Sequence, residues 1–315
     1  MKATIYKYLN EKGALASIES DSVLLRMPSE YNDPFDCYYY IDKKERHKAF
    51  KLFMNYQFFK IFYNEIVINN KQLILGKLNT KIMLSNLKLI AKSINNKKRY
   101  KWMPDIEMYY KFAKYISRKS DEEYYEEFNK MIDGTVERIK RSILISCFSL
   151  RNDSILMWSH YAHSHRGACL EYEIDDKDFK TIKYSRKPIR FKLSKVLEHI
   201  LGHDFSGTEM DYSDDSFLFA IKPVLIKFKD WKYEKEVRCA YALGKKNPRI
   251  HDGVDDEGKR IWLLDMMPAR IKKIYIGCEA SDDFVEKIEN MNCGAAIVRM
   301  EKQNGKYGVS PKEDC

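Results

Sequence analysis

The hydrophobic period of this chain changes twice, and no other feature of it restricts the possible folds so strongly. Strand-length segments open it, as in Thr4-Ile5-Tyr6-Lys7-Tyr8-Leu9 and Val23-Leu24-Leu25-Arg26-Met27. From about Lys43 to Arg141 the apolar residues recur at helical spacing, as in Phe50, Phe53, Phe58, Phe62 and in Ile82, Leu84, Leu87, Ile90. Strands return at Ser142 and continue to about Met300. A mixed core interrupted by a helical insertion satisfies this order; an uninterrupted bundle or sandwich does not.

Charge follows the same division. Residues 43–118 hold 18 Lys and Arg against four acids (Glu45, Glu65, Asp105, Glu107), a surplus of +14. The rest holds 38 basic and 42 acidic residues, so one module supplies the entire +10 of the chain. Its densest run is Lys97-Lys98-Arg99-Tyr100-Lys101-Trp102, set between Asn95-Asn96 and Met103-Pro104 in the manner of an inter-helix loop. Cations that neutralise phosphates and rings that stack on bases suit single-stranded nucleic acid, and a solvated turn fits the same residues.

With 315 residues, 44% hydrophobic and 32% charged, the chain can bury a sizeable core. No apolar run approaches the ~18 to 20 residues of a membrane span, and the start has no signal-peptide stretch, so a cytoplasmic protein with no membrane partner is expected. The seven cysteines are odd in number and contain no C-x-x-C, against a disulfide framework or a ribbon-type zinc site. The glycine-rich dinucleotide, P-loop, zincin and nucleophile-elbow motifs are absent.

Along the chain, strands are expected at 4–9, 23–27, 142–149, 168–172, 181–184, 237–243, 261–264, 271–276 and 296–300. Helices are expected at 11–20, 154–162, 192–201, 217–227 and 282–291, besides those of the insertion. Their irregular interleaving predicts an α+β fold with a mixed, largely antiparallel sheet.

Three stretches can carry chemistry. In Tyr31-Asn32-Asp33-Pro34-Phe35-Asp36, carboxylates and an amide beside a rigid proline can contact a ribose or a metal, or simply cap a turn. Ser146-Cys147-Phe148-Ser149 is followed by Trp158-Ser159-His160-Tyr161-Ala162-His163-Ser164-His165-Arg166-Gly167, which crowds imidazole and phenol groups into a turn suited to hydrogen-bonding a ligand. No pair there has a structural-zinc spacing, and no metal site is assigned. In Trp231-Lys232-Tyr233-Glu234-Lys235-Glu236-Val237-Arg238, strand alternation sets Glu234, Glu236 and Arg238 on one face. Arg238 would then hold down the pKa of the nearer glutamate, leaving an ionised carboxylate able to stabilise positive charge; a cross-strand ion-pair ladder is the plainer use.

Taken together, Tyr6-Lys7-Tyr8, Asn32-Asp33-Pro34-Phe35-Asp36, Ser146-Cys147-Phe148-Ser149, Trp158-Ser159-His160-Tyr161 with His165 and Gly167, and Trp231-x-Tyr233-Glu234-x-Glu236-x-Arg238 resemble a bacterial family, domain of unknown function 2971. The order of parts also resembles the ADP-ribosyltransferase fold, which splits NAD through an oxocarbenium-like ribose. That second resemblance implies NAD as co-substrate, Glu236 or Glu234 as the catalytic carboxylate, and His160 and Tyr161 at the nicotinamide ribose. Asn32, Asp33, Arg238, Ser149, Tyr8 and Trp158 would complete the NAD site. The usual Ser-Thr-Ser strand is only loosely echoed by Ser146-x-Phe148-Ser149.

On this reading residues 1–42 and 142–301 form the catalytic-like core, 43–141 the basic helical insertion and 302–315 a flexible tail. The implied function is transfer of ADP-ribose to RNA or single-stranded DNA, as a toxin or phage-defence effector, with Lys97, Lys98, Arg99, Lys101 and Trp102 contacting the acceptor and an antitoxin or regulatory protein as a possible partner. The alternatives are a metal-dependent nuclease with Asp33, Glu234 and Glu236 around Mg²⁺, and a non-catalytic nucleic-acid or partner-binding protein.

Overall fold

The computed structural model of the protein describes residues 3–63, 120–174, 179–195, 197, 221–243, 246–267 and 269–312. The chain divides into two compact units, one of residues 1–38, 137–189 and 221–315, the other of 39–136 and 190–220. The first unit is α+β, built on a large, mostly antiparallel sheet, as the interleaving of periods predicts.

In the first unit, β1 (Ala3–Leu9) leads to α1 (Glu11–Ser20), whose first turn is capped by Asn10 accepting from the Gly13 amide at 2.8 Å. Asp21 turns left-handed (φ 47°) into β2 (Ser22–Leu25). In the second unit α2 (Lys43–Tyr63) buries Ala49, Phe50 and Leu52, and the Phe50 ring packs edge-on to Tyr125 and Phe128 of α3 (Asp121–Arg141) at 5.3 and 5.4 Å. The boundary between the units runs through α3, at residues 136 and 137. Lys97, Lys98, Arg99, Lys101 and Trp102 lie outside the described residues.

The first unit resumes with β3 (Ile143–Ser149), α4 (Ile155–Tyr161), β4 (Ala168–Ile174), β5 (Phe179–Thr181) and β6 (Lys183–Ser185). It continues through β7 (Ile226–Phe228), β8 (Glu236–Ala242), β9 (Ile250–Val254), β10 (Arg260–Asp265), β11 (Ile271–Ile276), α5 (Asp282–Asn290), β12 (Ala296–Lys302) and β13 (Val309–Pro311). The main sheet runs β13-β12-β11-β4-β1-β3-β8-β5, with β11 and β12 its parallel pair. Three strands, β2-β10-β9, form a second sheet, and β6 and β7 pair in parallel.

Strand alternation gives the main sheet two buried faces. Ile5, Leu170 and Ile274 face Ala14 and Ile18 of α1 and Phe284, Val285 and Ile288 of α5, while Tyr8, Cys169 and Tyr275 face Met157 and Trp158 of α4. Of the central strands β3 is buried along almost its whole length, as a strand covered on both faces should be.

Four expectations need correction. The helix expected at 217–227 gives way after Ile221, which is α-helical, to a short 3₁₀ turn (Lys222–Leu225) and β7, because Pro223 cannot continue an α-helix. The strand expected at 181–184 is two strands, β5 and β6. The segment expected as a flexible tail from 302 contains β13, whose Ser310 pairs with Glu301 of β12. The second compact unit includes residues 190–220 as well as 39–136, so two stretches of chain, rather than one insertion, depart from the core.

Candidate functional site

The register of the sheet centre assembles the site. Antiparallel pairing of β3 with β8 sets Ser149 opposite Glu236 and Cys147 opposite Arg238, and β1 meets β3 at Tyr6 and Ser149. Glu234 is not on the strand, contrary to the alternation argument. It ends a 3₁₀ helix (Lys229–Glu234), and Lys235, left-handed at φ 46°, then turns the chain into β8. That turn still brings Glu234 and Glu236 to one point, because both carboxylates meet a single ammonium.

Lys227 on β7 donates from Nζ to Glu234 Oε2 at 2.6 Å and to Glu236 Oε2 at 3.2 Å, and stands 3.6 Å from Asp36 Oδ2. Arg238 donates from Nε to Glu236 Oε1 (2.6 Å), from Nη2 and Nη1 to the two oxygens of Asp36 (2.6 and 2.9 Å), and from Nη1 to the Val224 carbonyl (2.7 Å). All five side chains are buried, Arg238 completely. Three carboxyls and two cations thus share one buried cluster, where an unpaired charge would be costly.

This count explains the protonation states. Burial works against ionising Glu236, but Arg238 and Lys227 outweigh it and hold its carboxyl well below the usual carboxylate range. Glu234 is pushed the other way: burial and the neighbouring Glu236 charge outweigh Lys227 and lift it to about 7. A carboxyl near 7 exchanges its proton close to neutral pH, and both Glu234 oxygens already accept hydrogen bonds, from Lys227 and from Tyr161. The Tyr161 hydroxyl donates to Glu234 Oε1 at 2.6 Å, and burial followed by the Glu234 charge pushes that phenol well above its ordinary range.

Above the cluster opens a cleft of about 620 Å³ lined by residues of β1, β3, α4 and the loop after β2. Of the residues singled out in the sequence, Tyr8, Asn32, Ser149, His160, Tyr161, Glu234 and Glu236 line it. His160 Nδ1 is hydrogen-bonded to the Tyr233 hydroxyl at 3.1 Å. Ser149 is fully buried and donates to the Glu234 carbonyl at 2.6 Å, and the Tyr8 hydroxyl donates to the Arg151 carbonyl at 2.9 Å, so both brace the walls.

Three others stand elsewhere. Trp158 is fully buried, its Nε1 donating to the Asn152 carbonyl at 2.7 Å, which is a core role. Arg238 lies beneath the cleft with its donors on protein acceptors, so it orients Glu236. Asp33 lines a separate hollow, and its Oδ1 accepts from the Phe35 amide at 2.8 Å in the Asx turn expected of Asn-Asp-Pro.

Residues 157–239 match a family model described as protein of unknown function (DUF2971). The match covers that segment alone. No curated protein and no solved structure matches the chain. The DUF2971 segment contains α4 with His160 and Tyr161, the His165 and Gly167 turn, Lys227, and the run from Trp231 to Arg238. The other stretches that carried the resemblance, Tyr6 to Tyr8, Asn32 to Asp36 and Ser146 to Ser149, lie outside the matched residues, yet Tyr6, Tyr8, Asn32, Asp36, Ser146 and Ser149 all line the cleft formed with it.

Sequence reasoning left Lys227 unassigned because it lay at the end of an expected helix. Asp36 and Lys7 stood inside quoted motifs without an individual role. Lys7 Nζ donates to Ser146 Oγ and the Cys147 carbonyl at 2.9 and 2.8 Å, stands 5.0 Å from the Phe148 ring centre, and has its pKa lowered by burial. Among the described residues no group of three or more His, Cys, Asp and Glu is disposed to hold a metal ion. The oxygens of Asp36, Glu234 and Glu236 that face one another are held by Lys227 and Arg238.

Proposed function

We propose that the cleft binds NAD and transfers its ADP-ribose to a nucleic acid. The observation that carries this reading is the pair of buried glutamates with opposed pKa displacements, at the floor of a cleft walled by Tyr6, Tyr8, Tyr31 and Phe148. NAD supplies the glycosidic bond that breaks, its nicotinamide leaving as a neutral ring with the bonding electron pair. Glu236, kept ionised by Arg238 and Lys227, supplies negative potential where the ribose becomes positive. Glu234 takes the proton of the attacking acceptor group as the new bond to the ribose forms, a role suited to a carboxyl near 7. His160 and Tyr161 hold the ribose hydroxyls. The acceptor class follows from the basic surplus of residues 43–118, which raises the local concentration of a polyanion. A toxin or defence effector has this combination.

The nuclease alternative is weaker, because Mg²⁺ would have to displace Lys227 from among the three carboxylates and Asp33 lines a different hollow. The test is incubation with labelled NAD and separate pools of RNA, DNA and protein. Label should pass to nucleic acid, and Glu236→Gln should slow NAD turnover by ~10²-fold or more. Tyr161→Phe, which removes one hydroxyl and leaves the ion pairs, should slow it too. Failure of label to leave NAD in any pool, or full turnover in both variants, overturns the reading.

A further inference from the structure

A second hollow of about 410 Å³ opens beside the cleft, within the range of roughly 300 to 1,000 Å³ that holds small organic groups. Its walls are mostly apolar, formed by the rings of Phe35, Tyr38, Phe228 and Trp231 with Pro188 and Pro223, and Asp33, whose Oδ1 accepts from the Phe35 amide, and Lys227 also line it. Three of those rings are well exposed, Phe35 at 66%, Tyr38 at 41% and Phe228 at 41%. Phe35 and Tyr38 meet edge-on at 6.1 Å and both still remain exposed, and exposed rings grouped around one concavity mark a binding surface. At its rim stand Arg186 and Lys187, both exposed and with no side-chain ion pair to a carboxylate among the described residues.

The hollow adjoins the carboxylates. Lys227 lines both concavities, and its Nζ lies 4.8 Å from the Trp231 ring centre. Trp231 in turn stands 6.0 Å from Tyr233, whose hydroxyl meets His160 in the cleft. A ring seated against Trp231 is therefore one side chain away from Glu234 and Glu236.

We infer that this hollow is a stacking subsite for an unpaired nucleobase of a single-stranded nucleic acid, with Arg186 and Lys187 meeting the flanking phosphates. Rings and cations together fit a base attached to phosphate, since rings stack on its face and cations neutralise its charge. Walls with so few polar groups stack any base and read little of its edge, so sequence preference is slight. The inference deepens the proposed transfer by seating the acceptor strand beside the carboxylates, and it rests on that reading only for the purpose of the site.

The experiment measures fluorescence anisotropy of labelled single-stranded RNA and DNA on the full chain, without NAD. Phe35→Ala and Phe228→Ala remove exposed rings, and each should weaken binding roughly five- to hundredfold with the unfolding transition of the parent retained. Phe35→Tyr, which keeps a ring, should restore it. The combined Arg186→Gln and Lys187→Gln variant should flatten the salt dependence by about 0.7 in log–log slope per lost contact. An oligonucleotide abasic throughout should bind the parent no better than the Phe35→Ala protein binds the normal strand. Unchanged affinity in both ring variants overturns the subsite, as does a weakened equilibrium Kd for NAD in Phe35→Ala with strand binding intact, which gives the hollow to the dinucleotide. Because these readouts need no turnover, they hold or fail separately from the labelled-NAD test.

Discussion

Lys227 is the residue on which the cluster turns: an ammonium among three carboxyls, it draws down both Glu234 and Glu236, and Arg238 draws Glu236 down further. The consequence for stability has a definite sign. Because the folded chain raises the Glu234 carboxyl to about 7, it binds that proton more tightly than the unfolded chain does. The stabilising contribution is complete below the ordinary glutamate range and is lost as pH rises through about 7. Glu236 behaves oppositely, its contribution being present above the ordinary range and lost on strong acidification. Glutamine at position 234 cannot ionise and escapes the first loss. Urea unfolding of Glu234→Gln and the parent, at about pH 5 and about pH 8, should show the variant gaining on the parent by on the order of 2 to 3 kcal/mol across that interval. A difference independent of pH would mean that Glu234 titrates like any surface glutamate. At this scale the sequence showed which acids and which guanidinium belonged together, because they share a short run. It could not show the lysine, which reaches them only through the pairing of β6 with β7 and the turn that follows.

The elements that shape the cleft are held by close backbone approaches. After α4 the chain passes through three consecutive left-handed residues, His163, Ser164 and His165, at φ 47°, 54° and 66°, a conformation costly for residues with a Cβ. Their path is fixed by Gly277, at the end of β11, where an added Cβ would lie 2.0 Å from the His165 carbonyl oxygen, and by Gly167, where it would lie 2.1 Å from that of Leu9. Both obstacles are backbone, which cannot swing aside. Gly277→Ala should therefore destabilise the chain by about 2 kcal/mol or more in thermal or urea unfolding, and it should lower ligand affinity in the cleft by moving α4 with His160 and Tyr161. A variant as stable as the parent would show that the turn relaxes freely. The glycines and the His-rich run were visible in the sequence as a helix-to-strand turn. Their mutual contact was not, because residues 165 and 277 come together only when β4 and β11 pair.

At the scale of the whole molecule the segregated charge is the feature with the longest reach. A surplus of +14 over residues 43–118 attracts phosphates without reading bases, so binding to RNA or single-stranded DNA should fall linearly in log–log with salt for every sequence alike. Replacing Lys97, Lys98, Arg99 and Lys101 together by Gln should flatten that slope by about 0.7 per lost contact on single strands, with NAD cleavage in the absence of acceptor nearly intact. An unchanged affinity and slope would make the loop a solvated turn. Among the described residues no helix is long and apolar enough to cross a membrane, consistent with the hydropathy of the sequence.

Period and local chemistry alone determined the mixed fold, the largely antiparallel sheet, the helix at 11–20 and the strands at either end of the cleft, since alternation, caps and prolines act over a few residues. The same local signals chose Glu234, Glu236, His160 and Tyr161, because each pair is close along the chain. Tertiary structure decided what depends on distant pairing. It set Lys227 among the carboxylates, joined Asp36 to Arg238 across some two hundred positions, moved Trp158 into the core, and opened an aromatic hollow from residues near 35, 186 and 228. Strand register and packing create those neighbours, and neither is written in any local pattern of residues.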